Sequence, residues 1–302
     1  MSRHVAVLMG GWSAEREVSL VSGQAAVEAL RARGYRVTAI DVGRDLAARL
    51  AELRPDVVYN ALHGRYGEDG TVQGLLEIMG IPYSHSGVLA SSLAMNKAMA
   101  KRLFATAGLR CPEGRLTTVD ALRNEAPPIP PPYVVKPNQE GSSVGVKIVR
   151  DPGEPAIDRN HWPYGPEVLI ERYIPGRELT VGVLGERALA VTEIRHRHSF
   201  FDYHAKYTAN EARHLIPAPL APELYQQVLD QALTAHRLLG CRGVSRADFR
   251  LDDRDPDGLY VLEVNTQPGM TPISLVPEQA AYAGMDFAEL VEQLVLEARC
   301  DA

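Results

Sequence analysis

The chain is poor in lysine and in cysteine, and it has no long apolar run. Its three cysteines, Cys111, Cys241 and Cys300, lie far apart with no CxxC pair among them. That spacing argues against a disulfide framework and against a cysteine zinc site, and it fits a reducing cytoplasm. No apolar stretch approaches the roughly 20 residues of a membrane span. A strand-like run, His4–Met9, begins almost at once and leaves no room for a secretory signal. The formal net charge of −6 offers no attraction to nucleic acid or to an anionic membrane, so neither is expected as a partner. There is no GxxxxGK[ST] loop, no GxGxxG turn and no HExxH. A P-loop NTPase, a dinucleotide-binding Rossmann unit and a zincin are therefore unsupported. Against 27 arginines stand five lysines: Lys97, Lys101, Lys136, Lys147 and Lys206. Where arginine is the default solvated cation, a retained lysine is a candidate for a specific task. Its compact ammonium is the usual point-charge partner of a phosphate oxygen.

What is present is ordinary in bulk: 302 residues, 45% hydrophobic and 23% charged, enough for two or three domains. Strand and helix patterns alternate over residues 1–96: Val5–Met9, a helix over Ser19–Arg33 ended by Gly34, Arg36–Asp41, Asp56–Tyr59, and a helix over Thr71–Met79 stopped by Gly80. That order predicts an open parallel sheet, which binds ligands beyond the carboxyl ends of its strands. The loops Gly10–Glu17 and His63–Gly70 then share one rim. Met95–Ala107 is expected to be helical. The proline cluster Ala126–Pro132 reads as a turn or linker. Short β runs follow, at Tyr133–Lys136, Ser143–Val149, Val168–Ile174, Glu178–Leu184 and Leu189–Arg195, and are expected to form one antiparallel sheet. Ala221–Leu239 reads as a long helix, Gly243–Leu251 and Leu259–Asn265 as strands, and Phe287–Ala298 as a final amphipathic helix.

The richest segment is Tyr260–Thr271, YVLEVNTQPGMT. Glu263 and Asn265 lie two apart on a strand and so face the same side. Two oxygen ligands beside a tight turn suit Mg²⁺, and a Glu within so apolar a strand is costly unless something pairs with it. Arg246 and Asp248 share a face in the same way. If the two strands pair, Arg246, Asp248, Glu263 and Asn265 become one polar cluster, suited to two divalent cations and a triphosphate. Lys136 ends an apolar strand, and Glu140–Gly145, EGSSVG, is a loop able to cover phosphates. In VLIERYI, Val168–Ile174, the carboxylate of Glu171 interrupts an apolar run and can accept adenine N6 hydrogens; Glu178 can accept ribose hydroxyls.

These segments resemble the ATP-grasp ligases and, within them, the D-alanine–D-alanine ligase family. The resemblance runs nearly end to end. It rests on GGWSAEREVSLVSG (Gly10–Gly23), HGRYGEDGTVQGLLE (His63–Glu77), SGVLASSLAMNK (Ser86–Lys97), VVKPNQEGSSVGV (Val134–Val146), FDYHAKYT (Phe201–Thr208), SRADF (Ser245–Phe249) and LEVNTQPGMTPISLVP (Leu262–Pro277). It implies an α/β (α+β) ATP-grasp fold: an N-terminal parallel α/β domain over 1–96, then two α+β subdomains, 97–180 and 181–302, that sandwich ATP. The implied activity is ligation of two D-alanine molecules through a D-alanyl phosphate, for peptidoglycan precursor synthesis in the cytoplasm, with ATP and two Mg²⁺ (or Mn²⁺) as cofactors.

By the same resemblance, Lys97, Lys136 and Lys206 reach ATP phosphates. Glu171 and Glu178 hold adenine and ribose, with Tyr173 and Ile174 packing on the base. Asp248, Glu263 and Asn265 hold the metal ions. Arg246 and the backbone N–H of Gly269 stabilise developing oxyanions. Glu15 pairs with the ammonium of the first D-alanine, near His63, and Ser274 and Leu275 bind the carboxylate of the second at a helix start. Ser142 and Tyr207 join Glu15 in a hydrogen-bonded set. Residues around 200–212 are expected to act as a lid, and a homodimer is expected. Trp12 stands where a smaller residue is usual, and Asn96 where an Asp is common; neither removes a charge that the chemistry uses. Two other readings are an ester-forming ATP-grasp relative that takes D-lactate, and a regulatory nucleotide-binding protein without catalysis, which predicts lost metal ligands.

Overall fold

A computed structural model describes residues 3–142, 144–158, 161–196, 212–255 and 257–301. Three parallel strands open the chain: β1 (His4–Met9), β2 (Arg36–Asp41) and β3 (Val57–Asn60), in the order β2-β1-β3. Val5, Ala6, Val7 and Leu8 are all wholly buried, without alternation. That is the pattern of a parallel strand covered on both faces. On one face, helix α1 (Arg16–Ala32) packs Ala26, Val27 and Leu30 against Val5, Val7 and Tyr59. On the other, α2 (Leu46–Leu53) and α3 (Thr71–Met79) bring Leu50 and Leu76 onto Leu8 and Val58. Gly80 ends α3 with φ +64°, a conformation open to glycine at no steric cost.

The helix expected over Met95–Ala107 is α5 (Lys97–Thr106), and a further helix, α4 (Val88–Met95), comes immediately before it. Asn96 separates them. Its backbone is extended and its side chain accepts the Met99 N–H at 3.1 Å, capping α5 in place of the helical bond. An Asn therefore does here what an Asp would, and it delivers Lys97 at the first residue of the helix.

The single antiparallel sheet expected from the β runs is corrected to two. The four-stranded sheet comprises β4 (Gly114–Thr118), β5 (Tyr133–Pro137), β6 (Lys147–Val149) and β7 (Glu167–Arg172), in the order β4-β7-β5-β6, with helix α6 (Val119–Asn124) after β4. The five-stranded sheet comprises β8 (Arg177–Leu184), β9 (Arg187–His196), β10 (Ala212–Leu215), β11 (Val244–Leu251) and β12 (Leu259–Asn265), in the order β10-β9-β8-β11-β12. The chain changes sheet at Gly176, at φ +98°, where the Leu251 carbonyl leaves no room for a Cβ. Periodicity signals strands but carries no mark of which strands pair, so the split was invisible.

Helix α7 (Pro222–Leu238) lays Val228, Ala232 and Ala235 on Leu179, Val181, Phe249 and Val261 of the larger sheet. Helices α8 (Leu275–Tyr282) and α9 (Phe287–Leu296) return to the start of the chain. Leu290, Val291, Leu294 and Val295 share one apolar cluster with α1 and β1. The end of β12 is thereby held against the carboxyl ends of β1 and β3.

Candidate active site

The pairing required by the sequence pattern is present. β11 and β12 run antiparallel, with Arg246 opposite Asn265 and Asp248 opposite Glu263, and a bulge follows Asp248. Arg246 grips Asp248 with two hydrogen bonds, 2.8 and 2.7 Å, and the Thr180 hydroxyl donates to the same carboxylate at 2.7 Å. Like charges directly opposite one another destabilise a strand pair. Here each has a cation: Arg246 on Asp248, and the Lys97 ammonium 3.4 Å from Glu263. The Asn265 amide oxygen accepts the Gln267 N–H at 2.8 Å and starts the turn that stops the strand.

A cavity opens beside this pair. Its walls bring together Glu15, His63, Lys97, Ser142, Arg246, Glu263, Asn265 and Gly269, eight of the residues singled out from the sequence. Glu15 comes from the loop after β1, just before α1, and accepts a close hydrogen bond from the Ser142 hydroxyl. Ser142 has a left-handed backbone, φ +50°. Lys97 also donates to the Glu140 carbonyl at 2.5 Å, which ties the EGSSVG loop to α5. Ser274 is the N-cap of α8 and Leu275 its first residue; the Ser274 hydroxyl holds the Thr271 N–H at 3.0 Å and shapes the turn after Gly269.

His63 is buried and fully bonded. Its Nδ1–H donates to the Gln267 carbonyl at 3.1 Å, and Nε2 takes the Ser22 hydroxyl at 3.2 Å. Because a carbonyl can only accept, the proton sits on Nδ1. Burial pushes its pKa down, against the pull of the Glu15 carboxylate. The neutral ring is a strut between α1 and the turn after β12 that also lines the cavity.

A second group lies at the end of β7. Glu171 is 2% exposed, with the Lys136 ammonium 2.7 Å from one carboxylate oxygen and the Lys101 ammonium in close contact with the other. Burial alone raises a carboxyl pKa, but the two ammonium groups outweigh it and hold Glu171 below its usual value. Tyr173 and buried Ile174 follow, and Glu178 on β8 lies 3.6 Å from Arg250, whose guanidinium also donates to the Ile174 and Gly176 carbonyls. Lys206, Tyr207 and the segment expected to form a lid lie outside the described residues.

Sequence reasoning missed three features. Glu68, in HGRYGEDG, lines the cavity and is 7% exposed. Glu140 contributes through its backbone carbonyl, which no side-chain pattern reports. Lys101, its side chain 11% exposed, pairs with Glu171; its signal was the scarcity of lysine. Lys147, by contrast, holds Pro155 and Glu154 at the surface.

Comparison with known proteins shows the family. The models of the D-Ala–D-Ala ligase N-terminus and C-terminus match residues 42–86 and 108–296. The chain belongs to the D-alanine–D-alanine ligase family. It is 57% identical over 307 residues to the D-alanine–D-alanine ligase of Azorhizobium caulinodans, covering 100% of both chains. It is 58% identical over 308 residues to that of Parvibaculum lavamentivorans, covering 99% of each. The Bacillus anthracis D-alanine–D-alanine ligase solved in complex with ATP superposes with a TM-score of 0.81 at 34% identity, over 98% of this chain and 96% of that one. The mixed α/β architecture is thus the ATP-grasp fold of these ligases.

Proposed function

We propose that the chain joins two D-alanine molecules into D-alanyl-D-alanine, with cleavage of ATP to ADP and phosphate. The observation that carries this reading is the paired face of β11 and β12 opening beside Glu15 and Lys97. In the first step an oxygen of one D-alanine carboxylate attacks the γ-phosphorus, and the bond to the leaving ADP oxygen breaks. In the second, the neutral amine of the other D-alanine attacks the acyl carbonyl, the bond to the phosphate oxygen breaks, and the proton shed by the nitrogen leaves with the phosphate. Both steps depend on positioning and charge neutralisation rather than on a protein nucleophile.

The donor set fits a divalent cation. Asp248 and Glu263 stand opposite one another on the β11–β12 pair, and Asn265 shares the Glu263 face of its strand, so its amide oxygen would serve as the third ligand. Two carboxylates and an amide oxygen, with room for phosphate oxygens, are magnesium ligands. Bound there, Mg²⁺ or Mn²⁺ would neutralise charge on the β- and γ-phosphates. Lys97 and Lys136, with Lys206, would reach the phosphates. Glu171 would meet the adenine amino group and Glu178 the ribose, with Tyr173 and Ile174 against the base. Arg246 and the Gly269 N–H would stabilise the tetrahedral oxyanion. Glu15, held by Ser142 and near His63, would take the first ammonium, with Tyr207 completing that set. Ser274 and Leu275, at the start of α8, would take the second carboxylate. The functional units would be 1–96, 97–180 and 181–302.

No helix among the described residues is long and apolar enough to cross a membrane. A cytoplasmic role, supplying dipeptide to cell-wall synthesis, is part of this reading; the ATP requirement and the three free cysteines fit it. A homodimer is part of this reading; light scattering should return twice the chain mass, and a monomer mass would remove it. The function is tested by phosphate release from ATP with D-alanine, L-alanine, or D-alanine plus D-lactate. Release with D-alanine and none with L-alanine is expected. Faster turnover with D-lactate would favour an ester-forming enzyme, and no release with any of the three would leave only nucleotide binding.

A further inference from the structure

The cavity holds a second buried carboxylate for which the ligation chemistry above has no use. Glu15 and Glu68 are 8% and 7% exposed. Both converge on Gly141. A Cβ placed on that glycine would stand 3.0 Å from an oxygen of Glu68 and 3.1 Å from an oxygen of Glu15, so the two oxygens are at most 6.1 Å apart. A side chain at 141 would fill the space between them, and glycine leaves it open. Glu68 is itself fixed in place: its own N–H donates to the Gly64 carbonyl at 3.0 Å, and its carboxylate accepts a hydrogen bond from the backbone of Gly64.

Around the pair stand Lys97, Arg246, His63 and Glu140. Lys97 and Arg246 are engaged by Glu263 and Asp248, His63 is neutral, and Glu140 adds another acid. Two carboxylates thus share a small buried volume with the Lys97 and Arg246 cations, whose pull on Glu68 is outweighed by burial and by the Glu15 charge.

We propose that Glu68 acts with Glu15 as a two-carboxylate clamp on the ammonium of the first D-alanine. This rests on the ligase reading. An ammonium offers three N–H donors and one positive charge. At that upper limit a nitrogen midway between the two oxygens would stand about 3 Å from each, a charge-assisted hydrogen-bond distance. The clamp rewards a primary α-ammonium group and rejects a hydroxyl in its place, because a hydroxyl brings one donor and no charge to two buried anions. Before the substrate arrives, burial and the Glu15 charge push the Glu68 carboxyl well above its usual range, against the pull of Lys97 and Arg246, which favours a proton on Glu68. The incoming ammonium takes that proton's place, and the proton leaves to solvent.

Two measurements test the clamp. The first is calorimetric titration of D-alanine into the full chain with Mg²⁺ and a non-hydrolysable ATP analogue, in two buffers of different ionisation enthalpy. Wild type is expected to release protons on binding, and Glu68→Gln to release none. The second is the KM split in steady-state assays. Glu68→Gln should raise the first-site D-alanine KM roughly 10- to 100-fold, the worth of one charge-assisted hydrogen bond, with the KM for ATP unchanged. The wild-type first-site KM should fall as pH rises, and that slope should vanish in the variant. If Glu68→Gln does not fold, Glu68→Asp replaces it, keeping proton release while raising the same KM. Equal proton release and an unchanged first-site KM would overturn the clamp. In that case D-alanine-dependent phosphate release by wild type would still stand for the ligase reading, and its absence would remove that reading instead.

Discussion

Glu263→Gln is expected to lower kcat by about two to three orders of magnitude while leaving the fold intact. The substitution keeps the shape and one acceptor oxygen but removes the charge. Glu263 faces Asp248 across the β11–β12 pair, and Lys97 stands 3.4 Å away. With glutamine there, a divalent cation loses one of two anionic ligands. Lys97 keeps its bond to the Glu140 carbonyl, so the loop over the cavity has no reason to open. The expected signature is a raised Mg²⁺ requirement, with partial recovery of turnover at high Mg²⁺ and an unchanged midpoint of unfolding. It is read from initial rates over a Mg²⁺ titration at saturating ATP and D-alanine. Turnover near wild type at every Mg²⁺ concentration would show that the carboxylate is not a ligand.

Glu171→Gln is expected to act on stability instead, costing about 3–5 kcal/mol. Glu171 is wedged between the Lys101 and Lys136 ammonium groups, all three nearly sealed from solvent. Removing the one anion leaves two buried cations facing each other. Burial already lowers the Lys101 pKa, and without Glu171 it would fall further until the group gave up its proton. The pH dependence has a definite sign. The folded-state pKa of Glu171 lies below its unfolded value of 4.5. Its contribution is therefore complete above that value and is lost as pH falls through the folded value. Denaturant unfolding of wild type and variant should differ most near neutrality, and the gap should close in acid. A gap under about 1 kcal/mol at neutral pH, or one that widened in acid, would contradict the pairing.

How much of this was legible in the chain follows from the range of each signal. Glu263 and Asn265, two apart in an apolar run, carry their common face in the local pattern, as do Arg246 and Asp248. Their meeting needed only that two neighbouring strands pair, the commonest arrangement. Gly80 likewise marks the end of α3 by itself. The helix break at Asn96 was less visible, because an Asn within an amphipathic pattern reads as a polar helical residue until its side chain is seen to cap. The division into two sheets depends on contacts such as Gly176 against Leu251, 75 positions away, for which a single sequence has no mark. Glu68 sits in a loop where any acid reads as solvated, and only the fold brings it across the cavity from Gly141. Lys101 and Glu171 are 70 positions apart, and their ion pair became visible only once β7 and α5 were adjacent.

The central claim is that ATP cleavage here is coupled to making one peptide bond between two D-alanines. Phosphate release and D-alanyl-D-alanine formation, quantified together in the same reaction of wild type with ATP, Mg²⁺ and D-alanine, test it most directly. One phosphate per dipeptide, with both products absent when D-alanine is omitted or replaced by L-alanine, is the predicted result. Phosphate released without dipeptide, or at the same rate without D-alanine, would contradict it.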